Sequence, residues 1–199
     1  ILNYRTISNA MLGTSYSNAG KSDSALHYQL IVYKYGLKIK DPQWLSLGPA
    51  WLGDTYSKIG KDDSAFYYYR ISIPNAIESK RFDIEAGSEL GMANLFYKKE
   101  QTDSAFYYSR KSVEVLRNIS VPDALMEAYS LLSKLYEGGH QYDSAYKYLK
   151  NSVILKDSLF NQSKIMQAQN SAFNETLQQQ QVQQAKKEAQ QQYQSKLKI

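Results

Sequence analysis

Apolar, small and aromatic positions recur along this chain at helical spacings, and the recurrence itself repeats. An apolar–small–x–x–aromatic pattern stands at Leu12-Gly13 with Tyr16, Leu52-Gly53 with Tyr56, Met92-Ala93 with Phe96, and Leu132-Ser133 with Tyr136. Residues three and four apart share a helix face, so each run predicts an amphipathic helix whose small residue admits a close neighbour. Nine residues after each aromatic comes the Ala of an Asp-Ser-Ala tripeptide (Ala25, Ala65, Ala105, Ala145), and three residues after each Ala comes a Tyr (Tyr28, Tyr68, Tyr108, Tyr148). Eight residues after the Ala stands Tyr33, Ile73, Val113 or Val153. The columns hold their register across four copies at a period of 40 residues, which composition bias does not produce. Four helix–turn–helix units are predicted, each too small to bury its apolar face alone and therefore stacked on its neighbours.

Punctuation places the helix ends. Gly20, Gly60 and Gly138-Gly139 fall between the helices of a unit, where glycine suits the left-handed residue that ends a helix. The Asp-Ser of each tripeptide is expected to cap the second helix, its oxygens accepting from orphan N–H groups. New units open near Asp41-Pro42, Asp83 and Ser120-Val121-Pro122. Pro49 is expected in a first turn or at a bend, and Pro74 is expected to shorten or kink its helix. Ala105 marks a tight crossing, so Ala105→Leu should overpack it. The column Gln29, Tyr69, Ser109, Leu149 varies in size, and Ser109→Leu is expected to be near neutral.

After residue 155 the pattern changes. Ten of the seventeen residues from Gln178 to Gln194 are Gln, and neither Gly nor Pro occurs after Ser158. Residues 156–177 are expected to form a capping helix that seals the array with Leu159, Met166, Phe173 and Leu177. Residues 178–199 read as a Gln-rich helical linker, coiled coil or frayed, with a thin seam of Val182, Ala185, Ala189, Tyr193 and Leu197. The fold class is all-α: an α-α superhelix of four repeats over 1–155, followed by a long C-terminal helix.

Leu52-Gly53, Tyr56, Ala65 and the pair Tyr68-Tyr69 resemble the tetratricopeptide repeat family, and the resemblance covers about residues 3–155. Three features depart from the family pattern. The period is 40 rather than about 34 residues, the position that often carries an opening Trp holds Asn9, Pro49, Glu89 or Tyr129, and the closing Pro is absent. The resemblance implies a concave groove lined by the first helices. Its inward column would be Thr14, Asp54, Asn94 and Lys134, with Ser17, Ser57, Tyr97 and Glu137 one turn on, flanked by Lys58 and Lys98. Co-chaperone members of the family grip a C-terminal carboxylate with Lys and Asn one turn apart. The matching pairs here are Ala10/Thr14, Ala50/Asp54, Leu90/Asn94 and Ser130/Lys134, so that ligand is not expected. The long period, the repeated Asp-Ser-Ala and the run Lys156-Asp157-Ser158-Leu159-Phe160-Asn161 are similar to repeat arrays of bacterial membrane-anchored regulators with histidine kinase or DNA-binding output. That likeness implies an extracytoplasmic position, and without it a cytoplasmic one is expected.

Composition narrows the function classes. A chain that is 43% hydrophobic and 22% charged is not wholly disordered. It has no run of eighteen apolar residues, and its opening at Ile1-Leu2 in mid-pattern reads as an excised segment. With no Cys, disulfides and thiolate chemistry are excluded. His27 and His140 lie 113 residues apart in different columns, and no HExxH, phosphate-binding glycine loop or Ser/His/Asp constellation occurs. No catalytic, metal or cofactor residue is expected, and no cofactor. Residues 156–199 hold six Lys against three acids, so +3 of the net +5 lies there and the array is near neutral. Nucleic acid is therefore not the expected partner. The leading expectation is a non-catalytic module binding a protein or peptide segment in the groove, mostly monomeric as a fragment, with dimerisation through the C-terminal helix in a longer protein. A structural scaffold or spacer with an unoccupied groove is the alternative, and a nucleic-acid-associated regulator ranks behind it.

Overall fold

The computed structural model describes the backbone of residues 2–196 and the side chains of residues 4–188. All described secondary structure is helical: α1 (Leu2–Asn18), α2 (Ser22–Ile39), α3 (Pro42–Lys58), α4 (Asp62–Glu78), α5 (Phe82–Lys98), α6 (Thr102–Leu116), α7 (Pro122–Gly138) and α8 (Tyr142–Lys196). The chain divides into two units, Ile1–Leu155 and Lys156–Ile199. In the first, successive helices pack in order and form an α-α superhelical repeat. The first helices of the repeats (α1, α3, α5, α7) also touch one another in sequence. The side of a curved stack on which neighbours approach most closely is its inner side, so these helices form the inner layer.

The turns follow a shorter period than the sequence columns. Left-handed residues fall at Gly20, Lys40, Gly60, Lys80, Glu100 and His140, with φ between 53° and 74°. At Gly60, the N–H donates to the Ser57 carbonyl at 3.1 Å and the Lys61 N–H donates to Tyr56 at 2.9 Å. That pair of bonds satisfies the last carbonyls of the helix and fixes the exit angle. The same pair recurs at Gly20, Lys80, Glu100 and His140. The structural module is thus one helix and its turn, spaced 20 residues, half the sequence repeat. The junction after α6 departs: Arg117 continues in helical geometry, and the chain turns through residues 117–120 without a left-handed residue.

Two expectations about helix ends are corrected. The Asp-Ser pairs do not cap. Lys21, Lys61 and Gln101 occupy the cap positions with no side-chain bond, and Asp23, Asp63, Asp103 and Asp143 lie within the first turn. There a carboxylate meets the positive end of the helix dipole, a smaller effect than a direct cap. Asp41, outside those tripeptides, does cap its helix, accepting from the Gln43 N–H at 2.8 Å ahead of Pro42. Pro74 does not shorten α4, which has 17 residues like its neighbours α3 and α5, and Pro49 lies well inside α3.

The aromatic columns of the sequence meet in every repeat. Tyr16 stacks on Tyr28, Tyr56 on Tyr68, Phe96 on Tyr108 and Tyr136 on Tyr148, with centroids 5.4–5.5 Å apart and planes within 12°. Phe66 and Phe106 then place their edges on Phe96 and Tyr136 of the next repeat. Ala25, Ala65 and Ala105 are fully buried beneath these rings. A serine column adds polar ties. Ser72 donates to the Ser46 carbonyl at 2.9 Å, Ser112 to Ala86 at 2.8 Å and Ser152 to Met126 at 3.1 Å, each across to the first helix of its own repeat. Leu155 packs against the core of the fourth repeat.

In the second unit the helix continues to Lys196. Of the four apolar side chains expected to act as a seal, Leu159 is half-buried, and Met166, Phe173 and Leu177 are 62%, 63% and 39% exposed. Val182 is exposed as well, whereas the seam side chains Ala189, Tyr193 and Leu197 lie outside the described residues. No described helix is long and apolar enough to cross a membrane.

Candidate functional site

The inner helices carry one exposed polar residue per repeat at the expected column. Asp54 stands between buried Gly53 and Thr55, Asn94 between buried Ala93 and Leu95, and Lys134 between buried Ser133 and Leu135. The buried neighbours hold each backbone in place, so the three side chains project from fixed points. Thr14 differs. It is half-buried, and its hydroxyl donates back to the Ala10 and Met11 carbonyls at 3.0 Å.

The second column is less free. Ser17 and Ser57 are half-buried, Glu137 is exposed, and Tyr97 is 41% exposed. Lys58 reaches back to the preceding repeat and donates to the Ser17 hydroxyl at 3.3 Å. Lys98 does likewise with Asp62 at 3.5 Å, and its neighbour Lys99 pairs with Asp63 at 3.0 Å. Exposed pairs of this kind contribute little stability, but they occupy the two flanking lysines and align adjacent repeats. Of the ten expected groove residues, Asp54, Asn94, Tyr97, Lys134 and Glu137 are the ones that face solvent with no such tie to an adjacent repeat.

Tyr69 enters this face from behind. It belongs to the outer helix α4 and is 2% exposed, yet its hydroxyl donates to Asp54 Oδ1 at 2.7 Å. Glycines make the passage: a Cβ at Gly53 would lie 2.6 Å from the Tyr69 ring, and one at Gly91 would lie 2.4 Å from it. Burial, reinforced by the Asp54 carboxylate, pushes the Tyr69 phenol far above its usual range, so it remains a donor. The column to which Tyr69 belongs is internal in the first three repeats, whereas Leu149 in the fourth is 51% exposed. Gln29 and Ser109 are 1% and 0% exposed, and a fully buried Ser109 has no room for the leucine that its variable column led us to expect it to tolerate. Its variation in size is matched by the facing residues, since Gln29 lies against Gly13 and Tyr69 against Gly53 and Gly91.

A second feature escaped the sequence reading. Glu89 is 1% exposed and its Oε2 has no hydrogen-bond partner. It lines a cavity of about 450 Å³ between α5 and α6 together with Phe82, Glu85, Lys111, Glu114, Val115, Asn118 and Ile119. Burial first, then the nearby Glu85 and Glu114, push the Glu89 carboxyl up to about 7, with Lys111 opposing. The signal was present in the columns. The second repeat holds Leu45, Pro49 and Ile71 at the positions equivalent to Glu85, Glu89 and Lys111, and the fourth holds Leu125, Tyr129 and Asn151.

Among the described residues, no three His, Asp or Glu converge as a metal site. His27 and His140 are exposed, each beside a tyrosine ring.

The fold defines an α-α superhelical repeat protein. No family model matches the chain, and no curated protein matches it. Among solved structures it is similar to BtubC (BKLC) from P. vanneervenii, with a TM-score of 0.66 at 14% identity, covering 77% of this chain. The match spans 64% of the BtubC chain, and at that identity the likeness is one of fold.

Proposed function

We propose that the array is a tetratricopeptide-like, non-catalytic interaction or sensing module that holds a protein or peptide segment against its inner helices. The observation that carries this reading is the exposed row Asp54, Asn94 and Lys134, one polar side chain per repeat between buried neighbours. Its charge changes from negative through neutral to positive along the stack, so an extended segment with the opposite order of charge would be bound in one direction. Exposed Tyr97 adds an aromatic contact one turn from Asn94. The resemblance to arrays in bacterial membrane-anchored regulators suggests that the bound state is passed on through the C-terminal helix.

The test is affinity capture from extract of the native host, comparing the unaltered chain with Asn94→Ala/Tyr97→Ala. Both residues are exposed, so helicity and melting should not change while capture of a specific partner falls. A second reading, a structural spacer, draws on the internal partners of Thr14, Ser17, Lys58 and Lys98. It takes precedence if no captured protein depends on Asn94 and Tyr97.

A further inference from the structure

The third repeat breaks its own pattern at one place. Glu85 stands where Arg5, Leu45 and Leu125 occur, Glu89 where Asn9, Pro49 and Tyr129 occur, Lys111 where Ile31, Ile71 and Asn151 occur, and Glu114 where Lys34, Pro74 and Ile154 occur, so only the third repeat carries charge at all four positions. In a repeat array each such position packs one unit, and a carboxylate there forfeits packing and desolvates a polar group. Glu89 shows that cost directly, because it is buried and one of its oxygens is unpartnered. Lys111 does not neutralise it. Its Nζ lies 5.1 Å above the Tyr107 ring, and among the described residues no ion pair joins it to Glu85, Glu89 or Glu114.

The cavity around Glu89 has a polarity of its own. Its acidic groups come from both helices, Glu85 and Glu89 from α5 and Glu114 from α6. Phe82, Val115 and Ile119 supply apolar wall, and Phe82 is 48% exposed, at the rim. A volume of about 450 Å³ falls in the range of small-molecule sites. The carboxylates do not converge as a metal site. A cation with an apolar body fits the lining better than a compact hydrated ion, since the head can meet a buried carboxylate while the stem covers apolar side chains.

We propose that the cavity between α5 and α6 is a binding site for a small amphiphilic organic cation, whose ammonium or guanidinium head pairs with Glu89 and whose apolar body lies along Phe82, Val115 and Ile119. The site is distinct from the row on the inner helices, and neither depends on the other. The charged groups that face Glu89 are Glu85 on its own helix and Lys111 and Glu114 on α6. Uptake of the cation displaces the proton that burial keeps on Glu89, so binding strengthens as pH rises through about 7.

The experiment is calorimetric titration of the full chain with 4-phenylbutylamine, using 4-phenylbutanol as the neutral counterpart. Saturable binding of the amine and none of the alcohol is expected, weakened at least about tenfold by Glu89→Gln and at least about tenfold between pH 8 and pH 5.5. Glu89→Gln mimics the protonated side chain and should fold. Val115→Phe, which fills the cavity without touching charge, should also abolish binding. A control substitution at Glu127, an exposed residue of α7, should leave affinity unchanged. No saturable binding below about 10 mM would overturn the proposal, as would equal affinity in Glu89→Gln. A lysine-containing peptide that binds through Glu89 when the free amine does not would replace a small-molecule site with a protein contact, overturning it in this form.

Discussion

Tyr69 and Asp54 are joined by a 2.7 Å hydrogen bond from an outer helix to the inner face of the array. The phenol reaches the carboxylate only because Gly53 and Gly91 leave the ring a channel. One member of the candidate ligand row is therefore held in place by the packing layer beneath it. A ligand that takes Asp54 from Tyr69 would have to replace that bond.

The channel predicts coupling between ring and glycine. Gly91→Ala should cost about 1–3 kcal/mol, because its Cβ would overlap the Tyr69 ring. In a Tyr69→Ser background, which copies the residue of the next repeat, the same substitution should cost little. A double-mutant cycle measured by chemical denaturation checks this, and additive effects would refute the channel.

Ser109→Leu should destabilise the protein by about 1–3 kcal/mol, comparably to Ala105→Leu, since both positions are fully buried. Thermal melts of the two variants decide it. A neutral Ser109→Leu would mean that the column relaxes more easily than its burial implies.

The non-glycine turn residues offer a gain. Lys80 and Glu100 adopt φ of 54° and 57°, a conformation costing an L-residue about 1 kcal/mol. Lys80→Gly or Glu100→Gly should each stabilise the chain by about 0.5–1 kcal/mol, and Gly60→Ala should destabilise it by a similar amount. Melting temperatures of the three variants test both signs.

Glu89 gives the array a pH dependence. Its folded value, pushed up to about 7, lies above the ordinary value of 4.5, so the folded chain binds more protons between those limits. Stability from this group is full at the acidic end and is lost as pH rises through about 7. Glu89→Gln should flatten that part of the curve and be the more stable form at pH 8. Melting temperatures of both proteins from pH 5 to 8 provide the comparison, and parallel curves would show that Glu89 titrates normally.

Truncation separates the two units. Ser152 and Leu155 hold the last helix of the array to its core, so a cut after Asn151 should lower the melting temperature or cause aggregation. A cut after Leu177 should leave it unchanged, because Leu177 and the described residues after it are exposed. Light scattering on the full chain and the Leu177 cut should show monomers for both, since a Gln- and Ala-rich seam forms a poor zipper. A tight dimer abolished by the cut would show that the seam is stronger than this.

The fold was legible because its determinants are columns. Leu52, Gly53, Tyr56, Ala65 and Tyr68 state the repeat, and the ring stacking of Tyr56 on Tyr68 follows from their being one face each of two facing helices. What eluded the sequence was context within a column. Asp63 reads as a cap by residue type, but whether it stands at the cap or two residues inside depends on where the preceding turn ends, which Gly60 and Lys61 decide. Ser109 looked tolerant because its column varies, when the variation is compensation across helices and visible only once Tyr69 is seen against Gly91. At the candidate row, the column Asp54, Asn94 and Lys134 came from the family resemblance, whereas the tie from Lys58 to Ser17 needed the distance between repeats.

The 20-residue spacing of the turns has a consequence for how such an array can change. One residue added inside a helix would rotate everything beyond it by about 100°, separating Phe66 from Phe96 and every later aromatic pair from its partner. Length is therefore quantised: the array can grow or shrink by whole struts, or by irregular residues placed in a turn. Among the described turns between α1 and α8, only the one after α6, where residues 117–120 run on without a left-handed stop, already departs from the rule. Insertions and deletions should be accommodated there first, and a change of pitch along the stack would begin at the same point.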